Sequence, residues 1–171
     1  MDSNSWIGHA LVEYLHNGET TLKIINVIPE GNGYLGYVLH TKPKQKMHYT
    51  KRDYLNRIDV SLAGRAAEEC ILGKVASGCQ SDLDKASRLL NDMFNEYGMS
   101  DTLGLISTRN NKIGLEMQQN MDKEKKATLE MCYNETKKML EENRHLFDKV
   151  LNVLLEKGSL SGEEFVELIK N

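Results

Sequence analysis

Only two prolines, Pro29 and Pro43, occur in 171 residues. Proline lacks a backbone donor and breaks helix interiors, so everything after Pro43 is free to be helical. The apolar spacing uses that freedom. Trp6 to His16 carries Ile7, Ala10, Leu11 and Tyr14 at helical intervals and stops at Asn17-Gly18. Thr50 to Leu72 sets Leu55, Ile58, Leu62, Ala66 and Cys70 on one stripe, with Gly73 as the stop. Ser81 reads as an N-cap, with Asp82 and Asp84 in a first turn where the helix dipole favours carboxylates. That helix would turn Leu83, Ala86, Leu90, Met93, Phe94 and Tyr97 inward and end at Gly98. One long helix is predicted over Met121 to Lys157, with Leu129, Tyr133, Leu140, Phe147, Val150 and Leu154 on one face. Its eight acidic and eight basic side chains describe a solvated outer face. Ser161-Gly162-Glu163-Glu164 has the form of a capping box that opens a last short helix.

Strands are few. The runs LKIINVI (22–28) and LGYVLH (35–40) flank a turn at Glu30 to Gly33 and predict an antiparallel hairpin. A further short strand is predicted at 103–107, LGLIS. The expected fold is mainly α with a small antiparallel β-hairpin or sheet. A single domain would span 1–171, with a core at 5–117 and the long and short C-terminal helices within 121–171. No repeat and no linker rich in Gly, Ser or Pro interrupts it.

Charge and cysteine usage exclude several functions. A net charge of −3 offers no basic stripe for phosphates, so no nucleic-acid partner is expected. No apolar run reaches the ~18 residues that span a bilayer, so no membrane segment is expected in this chain. Cys70, Cys79 and Cys132 are odd in number and form no C-x-x-C pair. They read as reduced thiols of a cytoplasmic protein. Cys70 falls on an apolar helix face. Cys79 precedes a helix N-terminus, which favours a thiolate, but it has no base nearby in sequence. Phosphate-loop, nucleophile-elbow and dinucleotide patterns are absent.

Two groups remain as candidate chemistry. His9, Glu13 and His16 lie at i, i+4 and i+7, so one stripe presents imidazole, carboxylate and imidazole. Such a set suits Zn²⁺, and it equally suits a polar helix face beside a loop. Asp82 and Asp84 read first as helix-start carboxylates.

The stretch 61–104 narrows these readings. Within it Ala63-Gly64-Arg65-Ala66-Ala67-Glu68-Glu69 leads through Ser77-Gly78-Cys79-Gln80-Ser81-Asp82 to Tyr97-Gly98-Met99-Ser100. This order and spacing resemble the peptidase domain of the FtsH-type ATP-dependent zinc metalloproteases. There an A-G-R-x-A-E-E helix leads through a T-G-A-x-N-D loop to a helix ending in Y-G-M-S. Val27-Ile28-Pro29 and Leu35-Gly36-Tyr37 fit as well, and the resemblance covers nearly the whole chain, most firmly 8–104.

The resemblance implies an active site of H-E-x-x-H on the first helix and an Asp from the later loop. In that chemistry two histidines four apart face one zinc, and the glutamate takes a proton from zinc-bound water. Ser5-Trp6-Ile7-Gly8-His9-Ala10 stands where the family has H-E-A-G-H-A. His9 and Asp82 therefore match two ligands, Ser5 replaces the first histidine and Trp6 replaces the catalytic glutamate. No catalytic residue and no bound cofactor is then expected, and Trp6 would partly fill the old cleft. The implied function is a catalytically inactive member that acts by binding or assembly. It would associate with itself, with an active FtsH-type protease, or with a peptide or unfolded protein. The alternative is a zinc peptidase whose rearranged site uses His9, Glu13 or His16, and Asp82, with Glu68 and Glu69 as supporting groups. A further reading makes the chain one part of a longer ATP-dependent protease that assembles as a ring. No ATPase module or membrane anchor lies within these 171 residues.

Overall fold

The computed structural model describes residues 3–28, 36–42 and 46–170. The turn expected at Glu30 to Gly33 falls outside the described residues. Helix α1 covers Ser3–Asn17, strands β1 and β2 cover Leu22–Asn26 and Tyr37–His40, and α2 covers Lys51–Leu72. A 3₁₀ turn at Ser77–Cys79 leads into α3, Gln80–Asn91, which continues as a π-helical turn at Asp92–Glu96. Then follow α4 (Leu115–Glu142), α5 (Arg144–Lys157), β3 (Ser159–Ser161) and α6 (Gly162–Lys170). The chain is helical with one small antiparallel sheet, as the patterning predicts.

Helix α2 is the centre. Thr50 and Asp53 form a reciprocal capping box at its start, and Gly73 closes it in a left-handed conformation with φ of 64°. Its apolar side chains serve two clusters. Ala63, Ala66 and Ala67 join Ile7, Leu11, Ile25, Leu154 and Phe165 in one. Tyr54, Ile58 and Leu62 join Leu90, Met93, Phe94 and Met121 in the other. A helix buried on both sides shows no single apolar stripe, so the sequence reveals only part of its buried surface.

Helices α1 and α2 approach each other unusually closely through two glycines. A β-carbon on Gly8 would stand 2.7 Å from Ala67 Cβ and 2.8 Å from the Ala63 carbonyl oxygen. A β-carbon on Gly64 would stand 2.4 Å from Ser5 Oγ and 2.5 Å from His9 Nε2. Each glycine therefore gives the facing helix the space its own side chain would fill.

Four expectations need correction. The strand at 103–107 is absent: Leu103 is buried, Leu105 is fully exposed, and the segment is turns and bends. Glu124 of α4 organises the turn before it, accepting from Ser100 Oγ at 2.6 Å, Asp101 N at 2.8 Å and Thr102 N at 3.1 Å. The third strand is instead β3, which pairs antiparallel with β1 and gives the order β2-β1-β3. The long helix is two helices, because Asn143 leaves helical geometry (φ −108°, ψ 24°) and its own carboxamide donates to the Met139 carbonyl at 2.9 Å. Ser81 is not the cap of α3, which begins at Gln80 with Cys79 before it. Beyond Asn91 the π turn, with Tyr97 N donating to Asp92 O at 3.3 Å, shifts the helix phase. Met93 and Phe94 stay buried, while Tyr97 is largely exposed and lies against the Tyr54 ring. Leu83 is also exposed, and Leu89 takes a buried place instead.

The final capping box forms as expected. Ser161 Oγ accepts from Glu164 N at 3.2 Å, and the Glu164 carboxylate accepts from Ser161 N at 3.0 Å. Lys157 Nζ lies 2.6 Å from the same carboxylate. The Lys157 bond and the Ser161 bonds hold the Glu164 carboxyl down at about 2.

Two outcomes follow. A folded value below the unfolded one means that Glu164 adds stability above the ordinary carboxylate range, lost as pH falls toward about 2. A carbon-detected NMR titration should show the Glu164 carboxyl midpoint near about 2, moving upward in Ser161→Ala; a midpoint near 4.5 refutes the box. Gly8→Ala should cost about 1–3 kcal/mol in chemical denaturation, since neither Ala67 nor the Ala63 backbone can move aside freely.

Candidate functional site

The close crossing of α1 and α2 places the candidate residues. Ser5 Oγ and His9 Nε2 both face the backbone of Gly64. The His9 Nδ1 nitrogen lies 2.6 Å from the Val60 carbonyl oxygen of α2. Its Nε2 lies 3.1 Å from Asp82 Oδ2 in the first turn of α3. The carbonyl only accepts, so the Nδ1 proton is directed at it. The second nitrogen meets a carboxylate oxygen, and a hydrogen bond there needs one more proton on the pair. Both side chains are 16% exposed, so the contact is mostly withdrawn from water.

Ser5 is buried, and Trp6 packs with the first cluster beside Ile7 and Ala10. An indole cannot accept a proton, and an aliphatic hydroxyl is a neutral, weak donor to a metal.

The remaining predicted residues go elsewhere. The Glu13 carboxylate accepts from Thr20 Oγ1 and Thr21 N, each at 2.8 Å, and from Thr21 Oγ1 at 3.0 Å. It thus caps the entry to β1. His16 Nε2 lies 2.9 Å from Asp59 Oδ2, with side chains 8% and 3% exposed. The distance is that of an ion pair, but the angles fall short of a hydrogen bond, leaving His16 Nε2 and Asp59 Oδ1 without one. Cys132 of α4 faces the same carboxylate, and burial together with Asp59 pushes its thiol up. Asp84 is exposed on α3. Among the described residues no three His, Cys, Asp or Glu side chains converge into a set able to hold a metal.

Glu68 and Glu69 join backbone and helices rather than the His9–Asp82 pair. Glu68 is buried and accepts from Ala76 N at 2.9 Å. Glu69 accepts from the Tyr133 hydroxyl and from Lys137 Nζ, the latter at 2.7 Å, tying α2 to α4. Cys79 is buried with the Arg65 guanidinium 3.6 Å from its sulfur, and Cys70 is only half-buried.

One residue near the pair escapes the sequence reading. His40, at the end of β2, lies 3.2 Å from Thr21 Oγ1 through Nδ1. Although His40 keeps an exposed face, partial desolvation by its neighbours lowers its pKa, Glu13 opposes that, and His9 and Lys85 reinforce it. The run LGYVLH contains His40, but only the pairing of Leu22 with His40 brings it toward α1.

The sequence pattern that defines Peptidase family M41 matches residues 6–168. The chain is similar to proteins named ATP-dependent zinc metalloprotease FtsH. That of Lachnoclostridium phytofermentans is 40% identical over 161 residues, covering 92% of this chain and 27% of the relative. That of Clostridium perfringens is 30% identical, covering 95% and 24%. That of Thermotoga maritima is 30% identical, covering 95% and 29%. The chain thus spans about a quarter of the length of these relatives. Among the described residues no helix is long and apolar enough to cross a membrane.

The buried pair gives a prediction of its own. His16→Ala leaves the buried Asp59 carboxylate without its imidazole partner and should cost about 3–5 kcal/mol. Replacing both residues by leucine should cost clearly less. Urea denaturation of the single and double variants separates the two; equal losses would show that the pair is not coupled.

Proposed function

The chain belongs to Peptidase family M41, and from that premise we propose that this FtsH-type peptidase domain is catalytically inactive and acts by binding or assembly. The observation that carries the reading is the environment of Trp6 and Ser5. Trp6 occupies the place of the proton-accepting glutamate and is buried among apolar side chains. Ser5 offers a hydroxyl in place of an imidazole.

Zinc in this family's chemistry needs three protein donors, one open position and a base. The residues present do not fit it. His9 and Asp82 supply two donors, and among the described residues no third ionisable donor joins them. The alternative centre of His9, Glu13 and Asp82 is weakened by the contacts of Glu13, whose carboxylate is already satisfied by Thr20 and Thr21. His16 is similarly committed to Asp59.

Binding is supported by what the scaffold leaves available. β2 is an edge strand with Tyr37 and Leu39 exposed, so one row of backbone groups is open to an extended peptide. The relatives are named as ATP-dependent proteases, which supports association with itself or with an active FtsH-type partner, including as part of a longer assembly.

Incubation with unfolded casein and added zinc should release no fragments, and chelation should change nothing. Chelator-sensitive cleavage would overturn the reading. Light scattering should show self-association, or co-elution with an active FtsH-type protease; a monomer that does neither leaves peptide binding, measurable by fluorescence anisotropy, as the remaining activity to find.

A further inference from the structure

We infer that His9 and Asp82 serve this chain as a metal-independent structural clasp joining α1, α2 and α3. The inference rests on the reading that the metal centre is lost, and extends it to what the two surviving residues do.

One imidazole reaches two other helices. Through Nδ1 it meets the Val60 carbonyl of α2, and through Nε2 the Asp82 carboxylate of α3. Gly64 forms the floor under Nε2, with room for nothing larger than hydrogen, so the ring is held in place from below. Asp82 stands in the first turn of α3. There the helix dipole already favours a carboxylate, without a metal beside it. Ser5 is buried against the same glycine, and Trp6 anchors the adjoining turn of α1 in the apolar cluster. A hydrogen bond between partly desolvated groups contributes to stability wherever both partners are fixed, and both are fixed here. A zinc site missing one imidazole has too few donors to bind tightly. A clasp needs no third donor.

The test uses the full chain. Protein purified without a metal-binding tag and dialysed against zinc should retain fewer than about one zinc in ten chains. Its melting temperature should be the same with EDTA as with zinc. Asp82→Ala should lower that temperature by about 2–4 °C. In the same variant the amides of residues 77–84 should exchange about five- to tenfold faster, while those of β1 stay unchanged. If Asp82→Ala does not fold, the near-isosteric Asp82→Leu, which can neither donate nor accept, is read in the same way. Stoichiometric zinc, or a melting temperature lowered by EDTA, overturns the inference. So does an Asp82 variant with unaltered melting and exchange. That last outcome in a chain that still fails to cleave casein defeats the clasp alone, whereas chelator-sensitive cleavage defeats the inactive reading from which it starts.

Discussion

The structure depends on the near-contact of α1 and α2. Helices normally pack with their axes 8–10 Å apart because side chains stand between them. Here Gly8 faces Ala67 and the Ala63 backbone, and Gly64 faces Ser5 and His9. Each small residue receives part of the opposite helix, so the crossing locks in one register. That register aligns His9 with the Val60 carbonyl and sets the other face of α1 on the cluster of Leu11, Ile25 and Phe165. It also frees the remaining surface of α2 for the second cluster, under α3 and α4.

Around this crossing, buried or half-buried carboxylates act as joints. Glu13 fixes the start of β1, Glu68 the loop after α2, Glu69 the junction of α2 with α4, and Glu124 the turn at 100–103. Each accepts from two or more donors or from a backbone N–H, which is how a carboxylate can be withdrawn from water without large cost. Asp59 is the exception, since its partner His16 approaches at ion-pair distance without hydrogen-bond alignment. The chain thus spends most of its acidic side chains near the candidate site on architecture, and few remain for chemistry.

What could be read in advance follows the range of the interactions. Local signals were legible: the glycine stops at Gly18 and Gly73, the box at Ser161 and Glu164, and the alternation of β1 and β2 depend on residues a few positions apart. Non-local ones were hidden. β3 is three residues long and exists because β1 offers an edge, so nothing in Ser159-Leu160-Ser161 itself marks a strand. The break at Asn143 lies within a continuous helical pattern, and the π turn changes phase without changing composition. At the site, the resemblance singled out His9 and Asp82 as partners across 73 positions, and they meet at 3.1 Å. Spacing alone singled out Glu13 and His16 with His9, because i, i+4, i+7 specifies a shared stripe and says nothing of Thr21 or Asp59, which claim them.

The segment that carries the family resemblance is itself accounted for by packing. Gly64 makes room for Ser5 and His9. Arg65 reaches the Cys79 sulfur and lies over the Tyr133 ring. Ala66 and Ala67 are fully buried, and Glu68 and Glu69 make the loop and interhelix joints. Together these residues join α2 to α1, to α4 and to the loop that leads into α3, whether or not a metal is ever held at the site. Peptide hydrolysis places its demand on other positions, chiefly a third ligand and a base, which the resemblance aligns with Ser5 and Trp6. Fold and catalysis therefore rest on separable sets of residues in this scaffold. The proposed inactive reading follows from that separation, because the first set can be kept without the second.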